Sequence, residues 1–183
     1  QVEQRRLETV GPKVGGELRQ KALWAVLASL GAILLYVGWR YEFKFALGGV
    51  VALLHDVLVT LGALMLTGRE VSLTVVAALL TIAGFSINDT IVVFDRIRER
   101  SKSLRKETHS RVMDIAVNET LSRTIITSLT VFLTALALFV WGGEVLNDFS
   151  FAMLVGVVFG TYSSVYVASA LALDIWIALD RRK

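Results

Sequence analysis

Residues 71–94 read VSLTVVAALLTIAGFSINDTIVVF, an apolar run in which Asp89 is the one charged side chain. A helix rises 1.5 Å per residue, so about 20 such residues cross a hydrocarbon core of roughly 30 Å. The run is long enough to span a bilayer. Leu, Ile, Val and Ala fill every face of the would-be helix, as expected where lipid rather than water surrounds it.

Working outward from this run, similar apolar stretches occupy 22–39, 45–67, 121–141 and 149–177, giving five expected spans with 71–95 in the middle. Of 183 residues, 55% are hydrophobic and 19% charged, and Pro12 is the single proline. A soluble domain of this size could not hide that much apolar surface. The expected fold is therefore all-α, a polytopic membrane helix bundle. Residues 1–20 read as the end of an extracytoplasmic domain and a linker, because the passage from Gly11 to Gly16 holds Pro12, Gly15 and Gly16. Residues 21–183 read as the transmembrane domain.

Orientation follows from Lys and Arg. Loop 96–118 carries Arg96, Arg98, Arg100, Lys102, Arg105, Lys106 and Arg111; Arg40, Lys44 and the terminal Arg181, Arg182 and Lys183 lie on the same face. That face holds twelve basic residues and the other six, five of them in the N-terminal tract. The N-terminus is expected outside and the C-terminus in the cytoplasm. Within the basic loop, Phe94, Ile97 and Leu104 recur among charges, so the third helix is expected to run on past the membrane. Ser110 is the expected cap of a second amphipathic piece leading into the fourth span.

Charged side chains inside a span cost about 2.5–3.5 kcal/mol each on insertion scales and mark function or a paired partner. Asp89 and Arg123 are expected at one depth, near the basic end of the third and fourth spans, and opposite charges in low dielectric should pair. Thr120, Arg123, Thr127, Thr130 and Thr134 recur at three and four residues and form one polar stripe. It is expected to face the bundle interior, with Asn88 beside Asp89, as a path for protons or ions. His55 and Asp56, near the middle of the second span, point about 100° apart on a helix. They fit proton handling or a local structural role equally.

In the last span Ala152, Gly156, Gly160, Ser164, Ala168 and Ala172 repeat every four residues, the small-residue pattern that lets helix backbones approach closely. Cysteine is absent and histidine occurs twice, so no metal site is expected, nor any cofactor. No nucleic-acid partner is expected either, since the basic residues follow membrane topology. The chain has no G-x-S-x-G, H-E-x-x-H or Walker-type glycine loop, and an intramembrane aspartyl protease would need two carboxylates sharing a proton. An enzyme is not expected.

The run from Ala83 to Glu99, AGFSINDTIVVFDRIRE, resembles the signature of the SecF family, the smaller half of the bacterial SecDF protein-translocation accessory. Val10 to Gly15 resembles the junction after that family's periplasmic domain, and Asn118 to Thr124 its following membrane motif. The resemblance implies a member of the resistance-nodulation-division (RND) superfamily, present here as five helices of a six-helix half. It implies use of the proton gradient to help polypeptides leave the SecYEG channel. The implied partners are SecD, the SecYEG translocon with YajC and YidC, the translocating preprotein and the lipid bilayer; the implied location is the bacterial inner membrane. Asp89 and Arg123 become proton-path residues working with an aspartate of SecD. A small-molecule exporter of the same superfamily and a structural membrane scaffold are the competing classes.

Overall fold

The computed structural model describes residues 12–40 and 43–180. Among these residues six α-helices follow in chain order: α1 Pro12–Arg40, α2 Phe43–Leu66, α3 Leu73–Ser103, α4 His109–Trp141, α5 Glu144–Tyr162 and α6 Ser169–Asp180, with a π-helical segment, Ser163–Ala168, joining the last two. Among the described residues four stretches are long and apolar enough to cross a membrane: Phe45–Leu66, Leu73–Ser103, His109–Trp141 and Gly143–Asp180; Trp24–Arg40 is a shorter apolar helix.

Local chemistry sets the helix ends. Gly68, at φ 69°, closes α2 in a Schellman turn: its N–H reaches Met65 O and that of Arg69 reaches Leu64 O. Ser72 caps α3 by accepting from the Val75 N–H at 3.3 Å. Two sequence expectations need correction here. Helix α1 starts at Pro12, inside the passage read as linker, because proline's fixed φ suits a first helical turn and its missing N–H is not needed there. The rest of that passage, residues 1–11, lies outside the described residues. The cap of α4 is Thr108 rather than Ser110, its hydroxyl accepting from the Arg111 N–H at 3.4 Å. Both helices therefore extend through most of the basic loop, leaving residues 104–108 as the connection.

The α5–π–α6 rod packs against α2, α3 and α4. Its small residues explain the approach: Ala152, Gly156, Gly160, Ser164, Ala168 and Ala172 are all buried. Four residues overshoot one α-helical turn by about 40°, so a strict four-residue repeat would drift off its face. The wider π turn at Ser163–Ala168 takes up that drift.

Two apolar clusters fill the bundle. One, toward the basic end, gathers Val37, Phe45, Phe94, Ile97, Met113 and Ala172; the other, toward the opposite end, gathers Leu64, Val75, Ile82, Ala135, Met153 and Val157. Between them the interior turns polar, with Asp56, Ser86, Asp89, Thr124, Ser163 and Ser164 all buried.

Candidate functional site

The polar layer is built by four elements. Ser86 and Asp89, one turn apart on α3, face inward; α2 contributes Asp56, α4 contributes Thr124, and the π segment contributes Ser163 and Ser164. Asp89 is 6% exposed. Its Oδ1 accepts from Thr124 Oγ1 at 2.6 Å and its Oδ2 from Ser164 Oγ. Asp56 has no exposed surface; its Oδ2 accepts from Ser86 Oγ at 2.5 Å and its Oδ1 lies 3.1 Å from His55 Nδ1. Ser163 Oγ donates to the Ala52 carbonyl, one turn before Asp56, at 3.3 Å. Gly160 admits the α5 backbone here: a Cβ at this position would meet Ser86 Cβ at 3.5 Å and Asp56 Oδ2 at 3.6 Å. Every buried side-chain polar atom among the described residues has a partner, so burial in a low dielectric leaves no donor or acceptor stranded.

The expected ion pair between Asp89 and Arg123 is absent from this arrangement. Arg123 is exposed, and the carboxylate is held by hydroxyls. The reason is helical geometry: Thr124 turns to α3, and its neighbour Arg123 points about 100° away. Depth is matched nonetheless, since Thr124 touches Asp89.

The expected stripe also turns the other way. Thr120 is buried, its hydroxyl bonded to the carbonyls of Ala116 and Val117, but Thr127, Thr130 and Thr134 are exposed. Their hydroxyls bond back to carbonyls of their own helix, at 2.9 Å from Thr127 to Arg123 and 2.9 Å from Thr134 to Thr130, so they need no interior partner. The stripe that does face inward is Thr120, Thr124 and Ser128. Its four-residue spacing is present in the sequence, on the face next to that of Arg123. Thr124 and Ser86 are thus the site residues that the sequence reading missed, and Ser164, read as packing, is also a ligand to Asp89.

Asn88, expected to support Asp89, is exposed. In an antiparallel pair such as α3 and α4, the residues preceding two facing positions fall on the same flank, here Asn88 and Arg123. Among the described residues neither makes a side-chain hydrogen bond or ion pair. Helix α4 is correspondingly open: 11% of its apolar window is buried inside the chain, against 50% for α3. The His55 side chain is 36% exposed, yet its imidazole reaches back to the buried Asp56. Among the described residues no group of three metal-ligating side chains occurs.

The family model for the C-terminal part of the protein export membrane proteins SecD and SecF matches residues 1–177. The chain belongs to that SecD/SecF family. It is 54% identical over 168 residues to the protein translocase subunit SecF of Calditerrivibrio nitroreducens, covering 91% of this chain and 55% of the relative. The SecF subunit of Vibrio alginolyticus is 53% identical over 176 residues, covering 96% of this chain and 56% of the relative. The chain thus spans about half the length of these curated relatives. A crystal structure of SecDF from Thermus thermophilus, titled a translocon-associated membrane protein, superposes with a TM-score of 0.87 at 50% identity, over 92% of this chain and 23% of that one. A second crystal structure, of SecDF in a super-membrane-facing form, gives a TM-score of 0.85 at 46% identity, over 94% of this chain and 23% of the other. Family and apolar helices together make this a multi-pass membrane protein.

Proposed function

We propose that this chain is the membrane part of a proton-driven accessory subunit of Sec protein translocation, with Asp89 holding the transported proton. The observation that carries the reading is the open polar flank of α4. Arg123, Asn88, Thr127, Thr130 and Thr134 are exposed at membrane depth, where an unpaired cation against lipid is costly. A second membrane subunit seated on this flank would cover them. Relatives that carry the fold as one SecDF chain support SecD as that subunit, with an acidic side chain of SecD meeting Arg123. Asp89 lies one residue inward of this seam, so loading or unloading its carboxyl changes the charge beside Arg123 and biases how the two halves pack.

In this reading the basic end, with Arg96 to Arg111, faces the cytoplasm of a bacterial inner membrane, and the residues before α1 belong to an extracytoplasmic domain. The remaining partners are the SecYEG translocon, with YajC and YidC, and the preprotein in transit. The subunit does mechanical work and catalyses no covalent step. The relatives' names are those of translocase subunits, which favours this role over a small-molecule exporter.

The test is proton flux into vesicles holding the full-length subunit with SecD. Asp89→Asn is expected to abolish flux and proton-dependent export while the complex still assembles. Wild-type flux in that variant would sink the reading.

A further inference from the structure

We infer that His55 and Asp56 form a second proton-holding site, wired to Asp89 through the hydroxyls of the polar layer. The inference rests on the proposed proton role of Asp89 and adds a group which that role does not use.

The geometry is that of a relay rather than a tether. Asp56 is fully buried near the middle of α2. The titratable side chain in contact with it is His55 on its own helix; the nearest on α3 in sequence to its partner Ser86 is Asp89, one turn along. From α5 and the π segment it meets Gly160 and the neighbourhood of Ser163 and Ser164. Arg123 points to the outer flank of α4 and the other basic groups lie outside the middle of the bundle, so among the described residues His55 is the basic side chain in contact with Asp56. With His55 Nδ1 3.1 Å from Asp56 Oδ1, a proton can sit on either partner. A neutral imidazole with a carboxylic acid and an imidazolium with a carboxylate contain the same number of protons and the same net charge, so the proton crosses without charging the membrane interior.

From Asp56 the hydroxyls continue the line. A serine hydroxyl has one proton to give and two lone pairs to accept with. Ser86 Oγ, which donates to Asp56 Oδ2, can pass its proton to that oxygen as it receives another, leaving the serine unchanged. Ser86 stands on the same face of α3 as Asp89, whose own Oδ2 accepts from Ser164. Ser163 next to it is bonded to α2 one turn from Asp56. Asp89 is held by Ser164, whose neighbour Ser163 is tied to the helix of Asp56, and Asp56 is held by Ser86, which shares the helix of Asp89, so a change of protonation at one alters the hydroxyl orientations available to the other. The π segment is the sort of irregular turn that can re-register when such bonds change.

A purely structural role makes a different forecast. Asparagine at 56 keeps the bonds, its amide oxygen accepting from Ser86 and its N–H₂ facing His55, but it cannot exchange a proton. The full-length subunit is reconstituted with SecD, and proton uptake is measured for wild type, Asp89→Asn, Asp56→Asn, Asp56→Glu, His55→Gln and Ser86→Ala. The expected result is a fall of about tenfold or more for Asp56→Asn, partial recovery with Asp56→Glu, and a smaller loss with Ser86→Ala. His55→Gln, at a partly exposed position, is expected to lower flux and flatten its pH profile. This second variant decides the matter should Asp56→Asn fail to assemble. Wild-type uptake and pH profile in Asp56→Asn and His55→Gln, where Asp89→Asn abolishes flux, overturn this inference alone. Wild-type uptake in Asp89→Asn overturns the reading beneath it as well.

Discussion

Thr124 Oγ1 donates to Asp89 Oδ1 at 2.6 Å, and this bond places the two residues at one depth with Thr124 turned toward α3. It also sends Arg123, the preceding residue, to the outer flank. The charge pair suggested by the sequence is thereby split between the inside of the chain and its open side.

Removing the donor tests how much that bond holds. Thr124→Val keeps the volume and β-branching but leaves Asp89 Oδ1 without its hydroxyl. A loss of about 1 kcal/mol in unfolding by denaturing detergent is expected, with Thr124→Ser close to wild type. Equal stability of all three would mean that Asp89 is held by Ser164 alone.

Arg123 gives the opposite forecast. Because it is exposed and bonds to none of the described side chains, Arg123→Met should leave the folding of this chain within about 0.5 kcal/mol of wild type. On the proposed function its effect belongs to assembly and transport, and weaker co-purification with SecD and loss of proton-dependent export are expected. Misfolding of the isolated subunit by Arg123→Met would show that the arginine works within the chain instead.

The five apolar runs, and Asp89 within the third, were legible because the hydrocarbon thickness sets a length and a composition that few soluble sequences meet. The small-residue ladder from Ala152 to Ala172 was equally legible, since close backbone approach admits few side chains. What could not be read was rotation. Thr124 and Arg123 differ by 100° on the helix, and hydroxyls that bond to their own backbone make an outward threonine as acceptable as an inward one. The π segment was hidden for a related reason: the four-residue ladder shows that small residues must keep one face, but where along the rod the drift is taken up depends on how α5 packs on α3 and α6 on α2.

At the end opposite the basic loop, Arg69 ties the α2–α3 turn to the start of α5. Its Nη1 donates to Asn147 Oδ1 at 2.6 Å and to Asp148, and its guanidinium carbon lies 4.4 Å from the centre of the Phe151 ring. The planar fork and the stacking are both particular to arginine. Arg69→Lys is expected to cost about 1 kcal/mol, discounted for partial exposure, and to speed amide exchange in residues 67–72 and 142–148. Unchanged exchange in both segments would make this contact incidental.

The glycines of the packed faces differ in what they tolerate, and the differences can be ranked. A Cβ on Gly160 would meet its neighbours at 3.5 Å or more, whereas one on Gly48 would come within 2.9 Å of the Ala168 carbonyl oxygen and 3.3 Å of the Ala172 nitrogen. A Cβ on Gly156 would overlap Ile82, reaching 2.5 Å from Cγ1 and 2.8 Å from Cγ2. Gly160→Ala should therefore fold normally, while Gly48→Ala and Gly156→Ala each lose about 1–3 kcal/mol by overpacking. The two losses have different cures. Ile82→Ala vacates the space above residue 156, so the double variant Gly156→Ala, Ile82→Ala should cost less than the sum of its parts in a mutant cycle. The obstacle at Gly48 is backbone, and no side-chain truncation on α6 or the π segment should relieve it. Detergent unfolding of the five variants measures the ranking, and strict additivity at 156 and 82 would mean that α3 and α5 do not touch there.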